Sequence, residues 1–153
     1  MSLEIRVVPA GEPPASDLVE AMVAEGVQVY GARLDVAGTP TATAAEMGPP
    51  HGTFLVIYDE GRPVAGGGIK RLGDDVAEIK RMYVVPEARS RGLARVLLRA
   101  LEDAARGLGY ARLRLDTGPR QPHARALYES AGYAAVAPYN DNRFASFWGE
   151  KQL

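Results

Sequence analysis

The fold is decided by the stretch Val84-Val85-Pro86-Glu87-Ala88-Arg89-Ser90-Arg91-Gly92-Leu93-Ala94, because the period of the hydrophobic pattern changes across it. Residues 76–85, which overlap its first two residues, read as a β-strand that Pro86 ends. After it, Leu93, Leu97, Leu101 and Leu108 recur at helical spacing. The stretch is therefore predicted to be a strand-to-helix turn at the start of a long helix.

Such a turn has the chemistry of a phosphate site. The start of a helix leaves backbone amides unpaired and carries the positive end of the helix dipole. Gly92 and Ala94 lack bulk, so a ligand can approach the backbone, and Arg89 and Arg91 add positive charge. The alternative is an ordinary turn with a solvated basic face. A P-loop is excluded because the Gly-Lys-Ser/Thr ending is missing.

The remaining chain adds strands and helices on both sides of this turn. A strand, a helix and a strand between Val76 and Asp116 predict a right-handed parallel crossover. Asp17 and Glu20 mark the start of the first helix, and residues 36–50 are predicted to be a loop with one helical turn at 42–47. Strands are predicted at residues 3–8, 53–58, 63–72, 76–85, 112–116, 133–136 and 144–150, and helices at 17–30, 91–108 and 122–131. No repeat or linker divides residues 1–153, so one α/β domain is expected.

Composition excludes several classes of function. The chain has 153 residues, with 18 basic and 19 acidic side chains, so it lacks the basic excess typical of nucleic-acid binding. It has no cysteine and 2 histidines, which leaves no thiolate chemistry and no histidine-built metal centre, and no metal is expected. The absence of cysteine fits a reducing cytoplasm, which is the expected location. No apolar run is long enough to span a membrane, and no signal peptide is recognised.

The turn resembles a known cofactor signature. Arg89-x-x-Gly92-x-Ala94 after Val84-x-Pro86 is similar to the R/Q-x-x-G-x-G/A motif of the GNAT superfamily, whose members use acetyl-coenzyme A. The resemblance implies a mixed, mostly antiparallel sheet with a central parallel strand pair and flanking helices. It also implies a pantetheine arm along Met82, Tyr83 and Val84. The pyrophosphate would then be held by the backbone amides of Arg89, Ser90, Arg91, Gly92, Leu93 and Ala94.

A second match lies downstream, in the segment from Gln121 to Tyr133. It resembles the family pattern N-x-x-A-x-x-L-Y-x-x-x-G-F/Y. Tyr128 falls on the position that usually protonates the departing thiolate, so a catalytic acid is implied there. Gln121 replaces the common Asn that contacts the cofactor. The alternative for Tyr128 is a core residue, since it shares a helix face with Leu127 and Ala131.

Glu78 is the candidate base. Acyl transfer needs a neutral amine, and a carboxylate can remove its proton directly or through water. Members of the superfamily often carry a catalytic Glu at this position. Strand alternation predicts one face for Glu78, Lys80, Met82 and Val84. Two alternatives stay open: a solvent-facing charge paired with Lys80 or Arg81, and deprotonation by water without a fixed base.

Four other features lie outside these motifs. Gly66-Gly67-Gly68 could form a bulge or let a substrate meet the backbone. Trp148 is expected in the core, and His123 in solvent. The family layout places residues 137–143 and 46–51, including His51, as walls of the acceptor pocket.

Together these features predict an N-acetyltransferase that moves acetyl from acetyl-coenzyme A to a primary amine of a small molecule or peptide. A noncatalytic acyl-coenzyme A-binding regulatory module and an unrelated nucleotide-binding α/β domain are the alternatives. Dimers are frequent in the superfamily, so a homodimer is an expectation that the resemblance carries. Neither nucleic acid nor membrane is expected as a partner.

Overall fold

The computed structural model describes residues 2–31 and 41–153, and within them one mixed sheet carries the fold. Residues 36–40, the first part of the loop predicted at 36–50, lie outside the described residues. The strands are β1 (Leu3–Val7), β2 (Thr53–Asp59), β3 (Arg62–Arg71), β4 (Val76–Val84), β5 (Arg112–Thr117), β6 (Ala134–Ala135) and β7 (Phe147–Gln152), in the order β1-β2-β3-β4-β5-β7-β6. The helices are α1 (Ala15–Tyr30), α2 (Leu93–Gly107) and α3 (Pro122–Ser130). Only β4 and β5 pair in parallel within this sheet, which confirms the predicted architecture.

Two helices begin at other residues than predicted. The helix α2 starts at Leu93 rather than Arg91, because Ser90 (φ 64°) and Gly92 (φ 77°) adopt left-handed backbone conformations that a helix cannot contain. The helix α1 starts at Ala15, and no side chain caps it. Asp17 lies inside its first turn, where a carboxylate still interacts favourably with the helix dipole.

The core lies on both faces of the sheet. On one face, Leu93, Leu97 and Leu101 of the predicted stripe are at most 1% exposed and pack with Tyr128 of α3. Complete burial of one such leucine contributes about 1.5–3 kcal/mol. Leu108, also predicted in this stripe, lies just beyond the end of α2 and is exposed. On the other face, α1 covers an aromatic cluster that includes Tyr83.

A β-bulge in β4 overturns one prediction about this sheet. Lys80 pairs with Gly68 and Tyr83 with Gly66, so two residues of β4 oppose the single Gly67. Arg81, inside the bulge, has φ 61°. The extra residue reverses the alternation, and the predicted shared face of Glu78, Lys80, Met82 and Val84 is therefore wrong. Glu78 and Lys80 lie on the α1 face, whereas Met82 and Val84 pack against the α2 core.

The glycines opposite the bulge allow the protein's own elements to approach. A Cβ atom on Gly68 would lie 2.3 Å from the Met47 sulfur, and one on Gly66 would lie 3.0 Å from Leu18. The turn that carries Met47 includes the predicted helical turn, with the Met47 amide donating to the Thr43 carbonyl. These glycines therefore serve packing across the sheet opposite the β4 bulge.

The parallel strands separate soon after they meet. Pairing between β4 and β5 is confined to Val76–Glu78 and Arg112–Arg114, although β4 runs on to Val84 and β5 to Thr117. Beyond Glu78 the strands diverge, and the backbone edge of β4 that faces β5 loses its strand partner. This divergence opens the sheet in its middle.

Candidate active site

A cleft of about 210 Å³ lies between the diverging strands. Its walls come from both sides of the sheet, because α1 contributes from one face and α3 from the other. The lining consists of residues 79–83 of β4, residues 115–118 at and just after the end of β5, Met22, Glu25, Gly26, Val29 and Tyr30 of α1, Gln121 just before α3, Ala124 and Tyr128 of α3, and Thr41, Asn142 and Phe144.

Tyr128 brings a buried hydroxyl to this cleft. Its side chain is 8% exposed, and its ring packs edge-on against Tyr133 with centroids 6.1 Å apart. Within the part of the chain described, the hydroxyl's hydrogen-bond partner is the Met82 sulfur at 3.8 Å, a weak acceptor. Burial, aided by the charge of Asp116, raises the pKa of Tyr128 to about 12. The hydroxyl is thus protonated at neutral pH and able to donate, and the residue is both core and cleft lining.

Glu78 lies at the point where the strands separate, but it does not line the cleft itself. It is 2% exposed, so the solvent-facing part of the alternative is wrong, whereas the predicted pairing with Lys80 is present. Tyr139 donates to Oε2 at 2.6 Å and the Lys80 ammonium lies 3.4 Å from Oε1. Burial raises the pKa of Glu78, while the Lys80 charge and the Tyr139 hydrogen bond oppose this rise. A proton from the cleft would reach the carboxylate through a relay such as one water.

The turn before α2 presents its backbone outward. Gly92 has φ 77°, and a Cβ atom placed on it would meet nothing within 4 Å, so the space beside it is open. The amides of Leu93 and Ala94 belong to the first helical turn and have no acceptor within the helix. The Leu93 side chain is buried in the core, so only its amide can meet a ligand. Two left-handed residues followed by a helix start are suited to an anion.

The arginines of this turn already have carboxylate partners that sequence patterns did not reveal. Arg89 lies 2.6 Å from Glu25 of α1 and donates to the Val84 carbonyl at 3.0 Å. Arg91 lies 2.6 Å from Asp59 at the end of β2. These ion pairs connect elements far apart in the chain, and no local spacing indicates them. These two side chains therefore stabilise the conformation of the turn as well as supplying charge.

The other predicted cofactor residues lie along a continuous path. Met82 and Tyr83 line the cleft on the unpaired edge of β4, and Val84 leads from that edge to the turn. Tyr83 donates a hydrogen bond to Glu25 at 3.3 Å. Gln121 lies at the start of α3, where its side-chain oxygen accepts from the Tyr30 hydroxyl at 3.2 Å.

The two segments predicted to wall the acceptor pocket lie beside different cavities. The loop after β6 lines the cleft through Asn142, and Phe144 just beyond it packs edge-on against Tyr30 at 6.0 Å. Residues 46–51, with His51, instead border a separate cavity of about 170 Å³ beside Arg71.

Asp116 is a charged residue of the cleft that the sequence patterns missed. Its carboxylate oxygens accept hydrogen bonds from Asn140 at 2.8 Å and Asn142 at 3.1 Å. Trp148, predicted to be core, is only partly buried and donates to Asn140 at 2.9 Å. The polar run Asn140-Asp141-Asn142 was the signal available in the sequence. It could not be matched to Asp116 without knowing that β5 pairs with β7.

Two kinds of feature are absent from residues 2–31 and 41–153. No helix there combines the length and apolarity needed to span a bilayer. No group of three or more His, Asp and Glu side chains in the same ranges is placed to hold a metal ion.

Comparison with known proteins assigns this architecture to a family. The model of the acetyltransferase (GNAT) family matches residues 20–133. An uncharacterized N-acetyltransferase of Schizosaccharomyces pombe is 33% identical over 135 residues, which are 85% of this chain and 83% of that protein. A crystal structure named as an acyl-CoA N-acyltransferase from Klebsiella pneumoniae has a TM-score of 0.79 and 30% identity, covering 99% of this chain and 97% of that one. The PaiA N-acetyltransferase of Thermoplasma acidophilum, in complex with coenzyme A, shares the fold with a TM-score of 0.71 at 18% identity, over 100% of both chains. The chain belongs to the GNAT acetyltransferase family and is an acyltransferase.

Proposed function

We propose that the chain transfers the acetyl group of acetyl-coenzyme A to a primary amine of a small molecule or peptide. The observation that carries this proposal is the Tyr128 hydroxyl, which is buried, protonated at neutral pH and bonded only weakly to a sulfur atom at the cleft. A hydroxyl in this state can give its proton to a departing thiolate. The solved relative that holds coenzyme A on the same fold supports the choice of donor.

The proposed donor path follows β4. The edge of Met82, Tyr83 and Val84 offers unpaired backbone groups to the amides of a pantetheine arm, as an added strand would. The path then reaches the turn from Arg89 through Ala94, whose amides would hold the pyrophosphate. Gln121 at the start of α3 lies beside this path and is proposed as a further contact.

The proposed reaction transfers one acetyl group and moves two protons from the acceptor nitrogen. An ammonium acceptor loses one proton, through a water relay, to the Glu78 carboxylate. The neutral nitrogen forms a C–N bond with the thioester carbonyl carbon, and the C–S bond breaks. The departing sulfur takes the Tyr128 proton, and the second proton lost by the nitrogen restores that hydroxyl. The net products are the acetamide, coenzyme A thiol and one proton.

A screen of primary amines with acetyl-coenzyme A tests this function by free thiol release. Thiol release that depends on an added amine, with the acetylated amine identified by mass spectrometry, is the expected result. Coenzyme A binding without amine-dependent thiol release would instead support the noncatalytic acyl-coenzyme A-binding module. Stabilisation by ATP but not by coenzyme A would support an unrelated nucleotide-binding domain.

The remaining features of the proposal rest on composition and on the resemblance. The absence of cysteine from the sequence fits a reducing cytoplasm, and the near balance of 18 basic and 19 acidic side chains fits a partner other than nucleic acid. We also propose that residues 1–153 form a single domain, that the chain forms a homodimer and that the reaction needs no metal.

A further inference from the structure

Asp116 lies near the end of β5, on the same side of the sheet as Glu78. Glu78 pairs with Arg114, and Asp116 follows Arg114 by two residues, so the two carboxylates point to the same face. Asp116 also lines the cleft that holds the Tyr128 hydroxyl. Its partly exposed side chain therefore lies where an acceptor would meet the proposed base and acid.

The orientation of this carboxylate is fixed by neutral groups. Asn140 donates to Oδ2 at 2.8 Å and Asn142 donates to Oδ1 at 3.1 Å. Trp148 donates to Asn140 at 2.9 Å, which sets the direction of that amide. Amide donors orient a carboxylate without supplying a positive charge to it.

Two other carboxylates in or near the cleft have cationic partners. Glu25 is paired with Arg89 at 2.6 Å, and Glu78 lies 3.4 Å from the Lys80 ammonium. Within residues 2–31 and 41–153, no Lys or Arg nitrogen comes within 4.0 Å of the Asp116 carboxylate. A partly desolvated charge without a counterion favours binding a cation, because attraction between opposite charges strengthens as water is excluded.

We propose that Asp116 binds the ammonium group of the acceptor, so that aliphatic amines are the substrate class. This inference rests on the proposed acetyl transfer to an amine. An aliphatic amine resembles the lysine side chain, with a pKa of about 10.4, and arrives at neutral pH as a cation. Arylamines arrive neutral and gain nothing from this charge. Tyr30 and Phe144 supply an aromatic wall for the rest of the acceptor.

The test measures binding rather than turnover. Isothermal titration of the full chain, saturated with coenzyme A, compares 2-phenylethylamine with 2-phenylethanol, which replaces the ammonium by a hydroxyl. The wild type is expected to prefer the amine by about 10- to 100-fold, the range for a hydrogen bond to a charged group. Asp116→Asn should abolish this preference. Asp75→Asn should keep it, since Asp75 is paired with Arg112 outside the cleft.

A second control separates the charge of Asp116 from other charge in the neighbouring loop. Asp141→Asn removes a negative charge from an exposed position of that loop, outside the cleft lining, and should keep the preference for the amine. Equal loss in Asp141→Asn and Asp116→Asn, or a wild type without preference, would overturn the inference. If Asp116→Asn does not fold, Asp116→Ser still offers the two amides an acceptor and replaces it in the comparison. Failure of the wild type to acetylate any amine would instead refute the proposed function.

Discussion

The Tyr139 hydroxyl donates a hydrogen bond of 2.6 Å to the Glu78 carboxylate, from a loop 61 residues further along the chain. The Arg114 guanidinium lies over the Tyr139 ring, 5.2 Å from its centroid, and fixes the ring beside the cleft. A donor to the ionised carboxylate favours the charged form and opposes the effect of burial on the pKa of Glu78. We therefore treat Tyr139 as a residue that positions and tunes Glu78.

Tyr139→Phe should move the acidic limb of the kcat/KM profile to higher pH. Burial already raises the pKa of Glu78 above the usual 4.5, and loss of the hydrogen bond removes one of the contributions that lower it. A base must be ionised to act, so a higher pKa shifts the onset of activity upward. The measurement is the pH dependence of kcat/KM for one amine.

Tyr133→Phe is the matched control for this shift. Tyr133 also donates to a buried carboxylate, Glu102, at 2.9 Å, but neither residue lines the cleft. Its loss should lower thermal stability and leave the acidic limb in place. An unchanged limb in Tyr139→Phe, or equal shifts in both variants, would show that Tyr139 does not tune the base.

Glu78→Gln should lower turnover by about 10²- to 10⁴-fold, the usual contribution of a positioned base. Coenzyme A affinity should stay nearly unchanged, because Glu78 does not lie on the proposed donor path along β4. Glutamine keeps an oxygen for the Tyr139 hydroxyl but cannot take a proton at neutral pH. The measurements are kcat and the coenzyme A dissociation constant.

Glu102→Gln provides the comparison for Glu78→Gln, because Glu102 is equally buried and pairs with Lys151 away from the cleft. It should change stability but not turnover. Acceptors of different pKa separate the ionisation of the amine from that of Glu78. Unchanged turnover and an unchanged pH profile in Glu78→Gln would leave deprotonation by water as the better account.

The order of strands and helices was predictable because its signals are local. The leucine stripe of α2 and the turn from Val84 to Ala94 each lie within a few residues of chain. The same locality allowed Tyr128 to be placed on a helix face and Gly92 at a helix start. Pairing of β4 with β5 then followed from the crossover rule.

The shape of the cleft depends on contacts that no local pattern contains. Arg81 is a residue type that rarely adopts φ 61°, and the bulge becomes visible only in the pairing with β3. Asp116 meets Asn140 only because β5 pairs with β7. Alternation therefore predicted the wrong face for Met82 and did not indicate Asp116 at all.

Tyr128→Phe should keep coenzyme A binding and reduce turnover by about 10²- to 10⁴-fold. The phenyl ring preserves the packing against Tyr133, and the hydroxyl's partner, the Met82 sulfur, accepts hydrogen bonds only weakly. Little stability should therefore be lost with the hydroxyl. Steady-state kcat and the coenzyme A dissociation constant are the measurements.

Tyr110→Phe serves as the control for Tyr128→Phe. Tyr110 is also buried, but its hydroxyl donates to the His51 carbonyl at 2.6 Å, outside the cleft. It should lose stability and keep turnover. Wild-type turnover in Tyr128→Phe, with kcat independent of solvent viscosity, would leave Tyr128 as a packing residue.

Gly92→Glu should abolish the stabilisation that coenzyme A gives to the wild type. At 100 times its dissociation constant a ligand adds about 2.7 kcal/mol, or on the order of 5–10 °C in Tm for a chain of this length. Gly92 faces open space, so a glutamate fits sterically but places negative charge at the proposed pyrophosphate site. Gly109→Glu carries the same left-handed strain, with φ 92° and nothing within 4 Å, beyond the opposite end of α2. Thermal melts with and without coenzyme A should show the shift in Gly109→Glu and none in Gly92→Glu. A full shift in a folded Gly92→Glu variant would remove the turn from the coenzyme A site.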